Sequence, residues 1–149
     1  MIDAGGDNPG ANAHIANYLQ VAAGDTNGHV HLDWALATHC HGENVGALPA
    51  LLANPNITVD KLYIKPCDAD FIHPFQRDDV SAHYSKVIAA CQEHGVEVVG
   101  VLPDKAFPLG ELTVQFFNTE SIRGKVVYED ENSVGTKISC NGHSFFYRQ

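Results

Sequence analysis

The sequence predicts an α/β domain with a mixed sheet, flanking helices and a C-terminal β-hairpin. Three observations carry this. Helix-type and strand-type runs alternate up to Pro103. After Pro103 the runs become β-type with polar connections. Near the end, Asn141-Gly142 stands between two such runs, and Asn-Gly is the strongest short hairpin signal because both residues tolerate positive φ.

The elements follow in chain order. Ile15, Tyr18, Leu19 and Ala22 recur at i, i+3, i+4 and i+7, one face of a helix that Gly24 stops. Leu32-Asp33-Trp34-Ala35-Leu36-Ala37 reads as a short buried strand. A second helix begins near Gly46, because Pro49 is tolerated only in a first turn. Lys61–Ile64 is the next strand. Asp78 or Asp79 caps a helix with Val80, Tyr84, Val87, Ile88 and Cys91 on its apolar face and Gly95 past its end. Val96–Leu102 is a third strand, Leu112–Phe117 a fourth, and Val134–Cys140 with Ser144–Tyr147 the hairpin.

At 149 residues the chain has room for one domain, taken as residues 1–149. Its formal charge of −9 gives no general attraction to a phosphate backbone, and no Lys or Arg run forms a basic patch. No apolar stretch approaches the roughly 20 residues of a membrane span. Met1–Gly6 lacks the basic and apolar regions of a signal peptide. The expectation is a cytoplasmic chain or a soluble domain of a larger protein. Cys40, Cys67, Cys91 and Cys140 are widely spaced and read as reduced, mostly buried thiols. The acidic run Glu129-Asp130-Glu131 reads as a solvated loop.

Nine histidines are present, and two of them stand two apart directly after a predicted buried strand. His39 and His41 directly follow the buried strand, where α/β folds place their sites. Alternate residues of an extended segment share a side, so the two imidazoles point together and Cys40 points away. Two such imidazoles suit Zn²⁺, and Glu43 adds a carboxylate two residues on. Bonding to backbone is the plainer alternative for both histidines, and Glu43 equally suits a helix-entry acid. Asn44 reads as an N-cap, and Asp3 as either a turn-forming or a catalytic residue. His73, between Ile72 and Pro74, is a further imidazole, although loop histidines usually face solvent.

Ile2-Asp3-Ala4-Gly5-Gly6, a helix, Leu32–Thr38, His39-Cys40-His41 and Val45-Gly46-Ala47-Leu48 together resemble the metallo-β-lactamase fold. That family's signature is T-H-x-H-x-D-H after a strand, with I-D-x-G ahead of it. Glu131-Asn132-Ser133-Val134 and the hairpin resemble the hydrolase domain of ComEC-type competence proteins and its stand-alone relatives. The resemblance implies part of a four-layer αββα sandwich, its N-terminal half, truncated at both ends. It implies His39, His41 and Glu43 as metal residues, with Glu43 in the place of the motif's Asp. It also implies Glu43 and Asp3 as catalytic residues, and Asn132 and Ser133 facing the site. Asn44 stands where the motif has its last His, and a bridging Asp would fall at or beyond Gln149. One zinc ion is therefore expected rather than two, with manganese the alternative.

The implied activity is metal-dependent hydrolysis, water attacking a phosphodiester or another small-molecule ester. Nucleic acid enters as substrate by family analogy alone. The alternative is a degenerate, non-catalytic fragment of the same fold acting as a scaffold or interaction domain. An unrelated α/β binding domain would instead continue its parallel sheet and lack the hairpin. Open sheet edges predict self-association.

Overall fold

A computed structural model describes residues 1–121 and 124–148. Among the described residues, nine strands and four α-helices run in the order α1 (Pro9–Ala23), β1 (Val30–Leu32), β2 (Ala35–Ala37), α2 (Gly42–Val45), α3 (Leu48–Leu52), β3 (Ile57–Val59), β4 (Lys61–Ile64), α4 (Pro74–Glu93), β5 (Glu97–Val99), β6 (Phe107–Leu109), β7 (Leu112–Phe117), β8 (Gly135–Cys140) and β9 (His143–Tyr147). Two 3-10 turns, Ala69–Phe71 and Glu129–Asn132, lie in the loops.

Strand pairing builds two layers. β2, β4 and β5 form a parallel sheet in the order β2-β4-β5, and β1 pairs with β3 in parallel beside it. Ile2 adds a parallel bridge to Leu36, bringing the N-terminal loop alongside β2. β6, β7, β8 and β9 form an antiparallel meander. Helices cover one face of the parallel sheet, and the meander covers the other.

Burial on both faces explains the apolar character of β2. Ala35 and Ala37 point into the helical core with Leu48, Leu51, Leu62, Ile64, Val80 and Val87. Leu36 points the opposite way, into a second core with Trp34, Val114, Phe116 and Val134. Alternation along one strand thus serves two cores, as a strand between two layers requires. Tyr63 of β4, Phe107 and Phe116 meet Trp34 mostly edge to face in that second core. Helices, parallel sheet and antiparallel sheet give three successive layers, α, β and β, the mixed α/β architecture expected.

Several boundaries differ from expectation. The run Leu32–Ala37 is two strands, because Asp33-Trp34 breaks the ladder between them. The expected Gly46 helix start is replaced by α2, with Gly46 as its C-cap, and then by α3, which carries Pro49 in its first turn. A Cβ at Gly46 would lie 2.6 Å from the Asp7 backbone nitrogen, so only glycine permits this close approach of the N-terminal loop. α4 begins at Pro74, a turn before Asp78. His73 Nδ1 accepts from the Phe75 N–H, and proline's fixed φ suits the first helical position. Tyr18, expected on the buried face of α1, points into solvent, while Ile15 and Leu19 pack inward. The Val96–Leu102 strand is confined to Glu97–Val99.

The hairpin stands as expected. Asn141 (φ 49°) and Gly142 (φ 80°) make the two-residue turn between β8 and β9. Gln149, at or beyond which a bridging Asp is expected, lies outside the described residues. Cys40, Cys67, Cys91 and Cys140 are free thiols. Among the described residues no helix is long and apolar enough to cross a membrane.

Candidate metal centre

β2 ends at Ala37, and the next four residues build the site. Thr38 is held from both sides of the chain. Its carbonyl accepts from the Val134 N–H at 2.9 Å, tying it to the start of β8. Its N–H and its hydroxyl both donate to Asp3, to Oδ1 and Oδ2 respectively, at 2.8 Å each. Asp3 sits in the left-handed region at φ 52°, which Asp tolerates better than most residues. Its Oδ2 also accepts from Asn44 Nδ2 at 3.0 Å and from the Tyr147 hydroxyl at 3.3 Å. Four donors thus converge on one buried carboxylate.

This cradle fixes His39. The Thr38 hydroxyl hydrogen is committed to Asp3, so the 3.1 Å contact with His39 Nδ1 requires Nδ1–H to donate. Nε2 is left with its lone pair, the state a metal ligand needs. Burial, and then the neighbouring His41, hold the imidazole below its usual pKa, against the pull of Asp3 and Asp130. His39 is thereby kept neutral.

His39 and His41 do face one side, with ring centroids 4.8 Å apart. Their side chains are 4% and 12% exposed. The third member of the group comes from far along the chain. Asp130 Oδ1 lies 3.9 Å from His39 Nε2 and 3.5 Å from His41 Nδ1. One ligand atom from each residue falls within 4.8 Å of the others. Tetrahedral zinc with bonds of about 2.0–2.1 Å sets its ligand atoms roughly 3.4 Å apart, so a trio spread over 4.8 Å must draw in by up to about 1.4 Å to close around an ion. The donor set of two imidazoles and one carboxylate suits zinc.

The remaining expected residues are placed as follows. Glu43 Oε1 is 3.9 Å from His41 Nδ1 on a side chain 79% exposed, at the solvent side of the trio. Asp3 stands behind His39, one residue removed. Asn44 is no N-cap: it lies inside α2, buried, and its amide bonds Asp3. His73 caps α4 and stacks on Tyr128 at 4.3 Å, and it is not a member of the trio. Burial pushes the Cys40 thiol well up, as for an inert core cysteine.

Of the acidic run expected as a solvated loop, Asp130 and Glu131 are exposed but Glu129 is not. Glu129 is fully buried beneath Asp130, accepting from the Cys40 N–H at 2.9 Å and from Asn132 Nδ2 at 3.4 Å. Burial raises its carboxyl pKa. Three consecutive acids opening a 3-10 turn just before Asn132-Ser133 were the available signal, but no spacing links them to residues 89 positions earlier. A cleft of about 330 Å³ adjoins Asp130, lined also by Phe117, Asn118, Ser133, Phe146 and Arg148. The Ser133 hydroxyl has no hydrogen-bond partner among the described residues.

Neither a protein-family model nor a curated protein matches the chain. Among solved structures, it is similar to zinc-bound PqqB from Methylobacterium extorquens, with a TM-score of 0.55 at 18% identity. The match covers 99% of this chain and 47% of that one, so the chain spans about half the length of the structure it matches. The fold is that of the metallo-β-lactamases, and its strand-end trio can hold a metal.

Proposed function

We propose that the chain is a metal-dependent hydrolase that binds one zinc ion through His39, His41 and Asp130 and cleaves a phosphodiester or another small ester. The observation that carries this reading is the trio itself: three ligand atoms within 4.8 Å at the carboxyl end of a buried strand. The likeness to a zinc-bound protein of the same fold adds support.

When bound, zinc would acidify a water towards neutral pH and polarise the oxygen of the scissile group. The chain's own groups do the rest. Glu43, at the open side of the trio, takes the proton from the attacking water. Asp3 is a positioning residue, since it acts through Thr38 to orient His39. The cleft beside Asp130 receives the substrate, with Arg148 set against a phosphate and Phe117 and Phe146 against an organic substituent. Asn44 donates Nδ2 to Asp3, and it offers only a neutral amide oxygen where an imidazole would serve a second ion, which favours a single ion over two. The ComEC-type branch is the affiliation we infer from Asn132-Ser133-Val134.

Elemental analysis of tag-free protein tests the reading, beside a His39→Ala, His41→Ala double variant. About one zinc per chain, lost in the variant, with cleavage of bis(p-nitrophenyl) phosphate or p-nitrophenyl acetate, is expected. Absence of metal from the parent chain after zinc reconstitution would overturn it and leave the non-catalytic scaffold.

A further inference from the structure

We propose that Gln76 of α4 holds His41 in the tautomer whose proton masks the metal-facing nitrogen, and so sets how tightly the centre takes a divalent ion. This rests on the metal-centre reading above.

Hydrogen-bond direction carries the inference. The Glu129 backbone N–H can only donate, and it donates to Gln76 Oε1 at 2.9 Å. The other end of that amide, Nε2, is therefore the group 2.9 Å from His41 Nε2. An amide NH₂ donates and does not accept, so His41 Nε2 must be the acceptor. A neutral imidazole then carries its proton on Nδ1. Nδ1 is the atom turned towards Asp130 at 3.5 Å and Glu43 at 3.9 Å. The lone pair an ion would use is thus occupied by hydrogen.

The two histidines are opposite in this respect. Thr38 bares the metal-facing nitrogen of His39, whereas Gln76 covers that of His41. For His41 to bind through Nδ1, its proton must pass to Nε2, with no net proton gained or lost. There it meets an NH₂ with no lone pair to receive it. Gln76 must turn away, giving up its bond to Glu129. Metal-ligating histidines ordinarily donate their second N–H to an acceptor. Gln76 supplies a donor instead, and a carboxylate in its place would supply the acceptor.

The test uses the whole chain with zinc as the probe. Gln76→Glu keeps an acceptor for the Glu129 N–H and adds one for His41 Nε2–H. Gln76→Leu removes the donor without adding charge. Zinc affinity is read by competition with a chromophoric chelator, and the His41 tautomer by ¹⁵N NMR of metal-free protein. The expectation is Nδ1–H in the parent and Nε2–H in Gln76→Glu. Zinc should bind about tenfold or more tighter in Gln76→Glu, and roughly threefold or more tighter in Gln76→Leu. An Nε2–H tautomer in the parent overturns the proposal. So does an unchanged affinity in Gln76→Leu beside a tighter Gln76→Glu, which would make charge alone the cause while leaving the metal centre standing. Failure of the parent and both variants to bind zinc would overturn the proposal and the metal centre together.

Discussion

Asp3 grips Thr38 at two points, its Oδ1 taking the backbone N–H and its Oδ2 the hydroxyl, each at 2.8 Å. The contact spans 35 positions and fastens the N-terminal loop to the end of β2. Asp3→Asn keeps the size and the tolerance of positive φ but puts an NH₂ among groups that need an acceptor. Leaving buried donors unpaired costs about 1–3 kcal/mol each. Asp3→Asn should therefore lose at least about 1–3 kcal/mol of folding free energy, read by urea denaturation. An unchanged midpoint would show that the grip does not stabilise the fold.

Thr38→Val preserves shape and removes the hydroxyl through which Asp3 orients His39. Zinc affinity should fall by about 10–100-fold, the usual cost of losing a partner behind a ligating histidine. Chelator competition measures this, with circular dichroism to confirm that the fold is retained. Equal affinity would deny Thr38 the role of orienting His39.

Asp130 and Glu43 separate binding from turnover. Asp130→Asn should abolish stoichiometric zinc while changing stability by less than about 0.5 kcal/mol, since the side chain is 68% exposed. Glu43→Gln should retain zinc and lower kcat with little change in KM. Elemental analysis and steady-state kinetics of both variants check the pair. Zinc lost from Glu43→Gln and kept by Asp130→Asn would reverse the assignment.

Lys65 is buried, its Nζ donating to the carbonyls of Asn118 and Glu120 at 2.9 and 3.0 Å. Burial lowers its pKa to about 8, against the opposing pull of Glu129. A lysine whose pKa falls on folding opposes folding in full below the folded value, and the penalty fades as pH rises towards the unfolded value of about 10.4. The stability of the parent relative to Lys65→Met should therefore climb between pH 8 and pH 10.4. Denaturant titrations of both proteins across that range read the difference, and a flat difference would refute the shift.

Local signals were legible where they were chemical. The His39–His41 spacing sits at a strand end, and Asn141-Gly142 turns the hairpin, because both depend on residues within a few positions. Asp130 was hidden because it reaches the site only through a long-range fold contact, Glu129 beneath it holding the Cys40 N–H. The start of α4 is not legible, because His73 and not an Asp provides the cap. Asn44 resembled a cap by type, yet its partner is a carboxylate 41 positions away. The tautomers of His39 and His41 are equally invisible in sequence, since each is set by a neighbour's hydrogen-bond direction.

Trp34 is the chain's single tryptophan. It bridges Tyr63 of the parallel sheet and Phe107 and Phe116 of the antiparallel one. The molecule therefore carries a built-in optical probe of whether its two sheets remain in contact. That probe stands at the opposite end of β2 from the histidines, so its emission follows the packing of the layers and leaves the chemistry at the strand's far end to be followed by other means.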